Sequence, residues 1–311
     1  MLDVLIERFR EVLRSRELFS NWPLAAIQYT FINPRVLYSA SPGIVRDLSK
    51  SCIRVRCRSG GEVCINPVLY AQVVRYWYFG FIKRVECDPG NNALIINGLM
   101  VRLSFHDDYI DLGSVKFKHY HHLIAQIFIN QVYSIAYVKN RVVVDVGAFV
   151  GDSPIYFILK GAKKVYAIEP HPGAYREMIE NIALNNMQDK IVPINAALGS
   201  KSDIVKIADV DIEMTISTYH GSISNGATEV PMITLEQLIK DYGAEPDVLK
   251  MDCEGCEFDV ILNDYEHVKL FRELLFEVHG DEKELLSRLS KDYKCVMYER
   301  PERILHCIRL W

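Results

Sequence analysis

From residue 141 onward, apolar runs of strand length alternate with segments of helical period. "RVVVDV", Arg141 to Val146, is too β-branched and too short for a helix and reads as a buried strand. After it, "DSPIYFILKGA" places Ile155, Ile158 and Leu159 at helical spacing. The alternation continues with strand "KKVYAIEP", helix "GAYREMIENIALNN" and strand "KIVPINAAL". A polar, Gly/Ser-containing stretch precedes helix "TLEQLIKDYG", strand "DVLKMDCEG" and a helix from about Glu257. Strand "RELLFEVHG", helix "DEKELLSRLS" and two closing strands, "KCVMYER" and "RILHCIRLW", complete the chain. This order predicts a doubly wound α/β sheet, mostly parallel and covered on both faces. The last two strands leave no room for a helix between them, so they pair antiparallel.

Before residue 140 the pattern differs. Helices are expected around 2–18 and 66–79. "CIRVRCRSGGEVCI" alternates about Ser59-Gly60-Gly61, and "NALIINGLMVRLSF" about Asn97-Gly98, both hairpin signals. Residues 1–138 therefore form a smaller α+β region, with a possible substrate or partner role, and 139–311 the α/β domain. "KHYHH", with His119, His121 and His122, lacks acidic or cysteine partners at ligand spacing and reads as a surface or lid segment, not a metal site.

Composition narrows the class. The 311 residues are 50% hydrophobic and 24% charged, an ordinary globular mixture, and the net charge of -4 argues against a nucleic-acid partner. "LIAQIFINQVYSIAYV" is interrupted by Gln126, Asn130 and Gln131 and falls short of a membrane span, so a cytoplasmic protein is expected. Eight cysteines in so long a chain do not read as a disulfide scaffold. Cys253 and Cys256 form one C-x-x-C with no second pair at zinc spacing, and packing roles are expected for both. No metal is expected.

Candidate chemistry gathers at the carboxyl ends of the strands, where such sheets bind ligands. The loop "DVGAFVGD" lacks both the phosphate-loop and the dinucleotide glycine spacings, and carries Asp145 and Asp152 at its two ends. Acids there repel phosphate and suit a cation; one carboxylate at ~5 Å attracts a unit charge by ~3 kcal/mol at an effective dielectric of ~20. Glu169 ends the second strand, where a carboxylate can accept both hydroxyls of a ribose. A ligand with a ribose, no phosphate and a cationic tail fits: S-adenosylmethionine.

The segments "VVVDVGAFVGDSPIYFILKGAKKVYAIEPHPGAYREMIENIALNN", "INAALG", "DVLKMDCEGCEFDVI" and "FEVHG" resemble the FkbM family of S-adenosylmethionine-dependent methyltransferases. The resemblance is good over about 141–280 and weak over the rest of the chain from about Ile53 to the C-terminus. It implies a class I methyltransferase (Rossmann-like) fold with a seven-stranded sheet, and methyl transfer mostly to oxygen of sugars or natural products. By position it implies that Gly147, Ala148, Gly151 and Glu169 bind the cofactor, that Asn195 and Ala196 border the adenine, and that Asp252 lies near the transferred methyl. Phe149 stands where the family often has asparagine.

Methyl transfer to a hydroxyl needs a base for the departing proton. Asp252, Glu254, Glu257, Glu277 and His279 are the strand-end candidates, with Asp252, Glu277 and His279 assigned the catalytic roles. The expected acceptor is a sugar, glycan, lipid or other small molecule. An RNA or protein acceptor, or a binding protein without catalysis, is the alternative.

Overall fold

Strands buried on both faces set the architecture. A computed structural model describes residues 9–32, 51–207, 228–299 and 302–310. The chain divides into two compact units, Met1–Val132 and Tyr133–Trp311.

In the first unit, the expected hairpins form. Ile53–Arg56 pairs antiparallel with Glu62–Ile65, and Ala93–Ile96 pairs with Leu99–Phe105. The second hairpin turns through Asn97 and Gly98, both at positive φ, the requirement of a tight two-residue turn. It belongs to a five-stranded antiparallel meander that runs from Val85 to Phe117. Helix Pro67–Tyr78 starts where Asn66 accepts the Val68 N–H, with Pro67 in its first turn. Of the helix expected over 2–18, residues 1–8 lie outside the described residues; 9–14 are helical and end in the 3₁₀ turn Ser15–Glu17. Helix Trp22–Ile32 was not anticipated, because "WPLAAIQYTFI" is apolar nearly all round and shows no period to read. His121 is buried and His119 exposed.

The second unit contains a seven-stranded sheet. Its strands are β1 (Val142–Val146), β2 (Lys164–Ile168), β3 (Ile191–Ile194), β4 (Val248–Met251), β5 (Glu273–Glu277), β6 (Tyr293–Tyr298) and β7 (Ile304–Arg309). Their order is β3-β2-β1-β4-β5-β7-β6. The first five are mutually parallel; β7 runs against both β5 and β6. Helices α1 (Asp152–Leu159), α2 (Pro172–Leu184), α3 (Leu235–Lys240), α4 (Cys256–Asn263) and α5 (Lys283–Leu289) are the crossovers. Val144, Val146, Leu249, Leu274 and Phe276 pack with Leu235, Leu238, Val260, Ile261, Leu285 and Leu289 in one core. The residues between them in β1, Val143 and Asp145, are fully buried on the other side of the pleat. The strand order reverses between β1 and β4, and the carboxyl ends of those two strands flank the crevice.

Two features depart from expectation. The polar stretch after β3 contributes a small sheet, in which Thr228–Ile233 pairs with Ala197–Leu198 and with Asp203–Ile207. The cysteines are also not isolated packing residues. All eight are in disulfides: Cys52–Cys64, Cys57–Cys87, Cys253–Cys256 and Cys295–Cys307. Cys253–Cys256 closes the one C-x-x-C, while the other partners are distant in sequence: Cys295 and Cys307, for example, face each other across β6 and β7.

Candidate active site

The loop after β1 is set by its glycines. Gly147 lies at φ 75° and Gly151 at φ 89°, values that L side chains rarely adopt. A Cβ on Gly147 would overlap the Asp252 carbonyl oxygen, and the Asp252 N–H donates to Val146 O at 3.0 Å. The loops after β1 and β4 are thus in backbone contact. Ala148 is buried, its N–H donating to Ile168 O at 3.1 Å. Asp152 is buried at the start of α1, where its carboxylate accepts the Ser153 N–H at 3.0 Å.

Glu169 follows β2 and is buried. Its two carboxylate oxygens accept the Phe149 N–H at 2.8 Å and the His171 N–H at 2.7 Å. Burial outweighs these hydrogen bonds and pushes its pKa up to about 7. Asn195 donates through its amide to the carbonyls of Glu169 and Pro170, at 2.8 and 3.1 Å, with Ala196 buried beside it. The ends of β1, β2 and β3 therefore converge on one rim. A carboxylate there, with lone pairs left after two N–H bonds, fits a ribose.

Asp145 has its partners within the protein interior. It is fully buried; Ser153 Oγ donates to it at 2.7 Å, and Lys250 Nζ lies 2.9 Å away. That carboxylate faces an internal ammonium rather than the crevice. Lys250 was not singled out in the sequence, although a lysine within "VLKM", buried at every position, is a visible signal of an internal ion pair. Burial opposes the charge on Lys250, yet Asp145 and Asp252 outweigh it and raise its pKa.

Beside the carboxyl ends of β4 and β5 lies a cluster of acids about one histidine. His279 Nε2 lies 3.5 Å from Glu254, 3.9 Å from Asp252 and 4.0 Å from Glu277. Glu257, fully buried, accepts the Gly255 N–H at 2.9 Å and the His279 N–H at 3.1 Å, and lies 3.3 Å from His279 Nδ1. Glu257 thus ties the β4 loop to the β5 loop and leaves Nε2 turned toward the other carboxylates. Burial lowers the His279 pKa, but Glu257, Glu254 and Asp252 overcome it and push the value up to about 9. Burial, then the Asp252 charge, pushes Glu277 up to about 8. Asp252 accepts the Tyr133 hydroxyl at 3.0 Å. Tyr133, another residue the sequence did not mark, is fully enclosed, and burial and Asp252 raise its pKa well above the ordinary value.

A seven-stranded sheet in this order, with a glycine loop after its first strand and an acid closing its second, defines the class I methyltransferase fold. More narrowly, residues 145–294 match the family model of the methyltransferase FkbM domain. S-adenosylmethionine is the cofactor that this match supports. Over 55 residues the chain is 46% identical to a tRNA (guanine(37)-N(1))-methyltransferase, Trm5b, of Methanocaldococcus jannaschii, which is 18% of this chain and 16% of that relative. A protein of the NADB-Rossmann superfamily from Streptococcus agalactiae superposes with a TM-score of 0.38 at 16% identity, over 58% of this chain and 66% of its own. M. capricolum TrmK in complex with S-adenosyl-homocysteine gives 0.36 at 14% identity, over 61% and 68%.

Proposed function

We propose that the protein is an S-adenosylmethionine-dependent O-methyltransferase acting on a hydroxyl of a sugar, glycan, lipid or other small molecule. The observation that carries this reading is the His279 cluster, a base surrounded by carboxylates at the rim next to the glycine loop. The cofactor supplies an electrophilic methyl on a sulfonium. Gly147 and Ala148 admit it closely, Glu169 accepts its ribose hydroxyls, and Asn195 and Ala196 border its adenine. Asp252 orients the transfer centre, where donor and acceptor must be held in line. His279 and Glu277 share the role of proton acceptor as one coupled pair. Because burial holds a proton on Glu277 and the neighbouring carboxylates hold one on His279, turnover should rise with pH through about 8 to about 9 rather than near the free histidine value.

Incubation with methyl-labelled cofactor and a panel of glycans, lipids and small alcohols tests the acceptor class. His279→Ala should lower turnover by roughly 100- to 10,000-fold while S-adenosylhomocysteine affinity stays near that of the native protein. Joint loss of affinity and turnover would make His279 structural, and a methylated nitrogen in the product would end the O-methyl reading.

One observation favours a second reading, an RNA acceptor: the 46% identity over 55 residues to a tRNA methyltransferase. Against it stands the acidity of the rim, where Asp252 and Glu254 would repel a phosphate backbone. Labelled transfer RNA in the same panel separates the two. Among the described residues no helix is long and apolar enough to cross a membrane. The four disulfides suit an oxidising compartment, and fit a cytoplasmic location only in a cell whose cytosol keeps such bonds.

A further inference from the structure

We propose that Lys250 is a positioning residue, whose single ammonium fixes both the glycine loop after β1 and the Asp252 carboxylate after β4. The Lys250 side chain is 1% exposed and that of Asp145 is fully buried. A lysine kept only to neutralise Asp145 would need one contact. This ammonium has three donors, and it uses the others on the loop itself. It donates to Gly147 O at 2.8 Å and to Val146 O at 3.3 Å, besides lying 2.9 Å from Asp145. Those carbonyls share their peptide planes with the N–H groups of Gly147 and Ala148, so the ammonium fixes the first two peptide planes of the loop. The second arm runs through Tyr133. Lys250 Nζ lies 5.4 Å from the centre of the Tyr133 ring, a cation–π contact, and the Tyr133 hydroxyl donates to Asp252 at 3.0 Å. Asp252 is also 4.0 Å from the ammonium directly. One buried charge thus sits at the crossing of the two loops that form the crevice.

The inference rests on the reading of that loop as the cofactor site, and the test separates the two. Lys250→Met alone leaves Asp145 buried without a counter-charge and is expected to cost folding. The double variant Asp145→Asn/Lys250→Met removes both charges and keeps a side chain that can accept from Ser153. Melting temperature, S-adenosylhomocysteine affinity by calorimetry and amide exchange over residues 147–151 are measured on it and on the native protein. The double variant should melt near the native protein, yet bind at least tenfold more weakly and exchange those amides faster. Native-like affinity at native-like melting would reduce Lys250 to a counter-ion and overturn the proposal. Should the double variant not fold, Tyr133→Phe keeps the ring and the ion pair but releases Asp252. A native melting point with affinity at least threefold weaker supports the role, and native affinity overturns it. A native protein that does not bind S-adenosylhomocysteine would overturn the cofactor reading first, and the role of Lys250 with it.

Discussion

Glu169 combines two demands that usually conflict: it accepts two backbone N–H bonds and is nevertheless buried enough for its pKa to reach about 7. Its raised value means that it gains a proton as pH falls through about 7. A neutral carboxyl accepts hydroxyls less strongly, with hydrogen bonds of ~0.5–1.5 kcal/mol against ~1.5–3 for a charged partner. S-adenosylhomocysteine affinity should therefore weaken by roughly tenfold from about pH 8.5 to about pH 5.5, and Glu169→Gln should flatten that dependence. Glu169→Ala should cost roughly 10- to 150-fold at the higher pH. Calorimetric titration across pH checks all three, and unchanged affinity in the folded Ala variant would remove Glu169 from the site. The place of Glu169 was legible in the sequence because it follows from where a strand ends. Lys250 and Tyr133 were not, since their roles depend on which strands become neighbours, and β1 lies beside β4 only after folding.

At the level of elements, the glycine loop and the first-unit hairpin make a controlled pair. Gly147 and Gly98 both lie at positive φ, 75° and 85°, so alanine is strained at each by ~1–2 kcal/mol. Their surroundings differ. A Cβ on Gly98 meets nothing within 4 Å, whereas on Gly147 it would overlap the Asp252 backbone. Gly98→Ala should therefore lower stability by about 1–2 kcal/mol and leave cofactor affinity unchanged. Gly147→Ala should separate the two loops and abolish measurable binding. Thermal melting and calorimetry on both variants decide it, and a Gly147→Ala protein that binds normally would contradict the packing described. The elements themselves were largely readable, since β1, β4 and the hairpins announce themselves by period and turn residues. The small sheet about Thr228–Ile233 was not, because its partners are short and separated by long polar sequence.

Over the whole molecule, the disulfides are what the sequence concealed. Cysteine spacing gives no distance, and pairing depends on Cα atoms coming within about 7 Å. Cys57 and Cys87 meet because the first hairpin lies near the start of the meander. A thiol assay on the unreduced, denatured protein should find no free cysteine, and reduction should lower the melting temperature. Removing one native bridge typically costs ~2–5 kcal/mol in a small domain. Eight reactive thiols under the same conditions would refute the pairing. The assay also bears on compartment, which composition and the lack of a long apolar helix among the described residues leave open.

Tyr133 carries a practical consequence. It begins the second unit and precedes β1, yet its hydroxyl touches Asp252; Tyr137 and Arg141, also ahead of that strand, hold the buried Glu273. A fragment trimmed to the first strand would retain every strand of the sheet and lose the segment that braces the crevice from beneath. Such a piece should melt below the native protein, since Glu273 loses Arg141, and bind S-adenosylhomocysteine poorly. The edge of the fold and the edge of the site fall at different residues, and a cutting point chosen from the strands alone would miss the second.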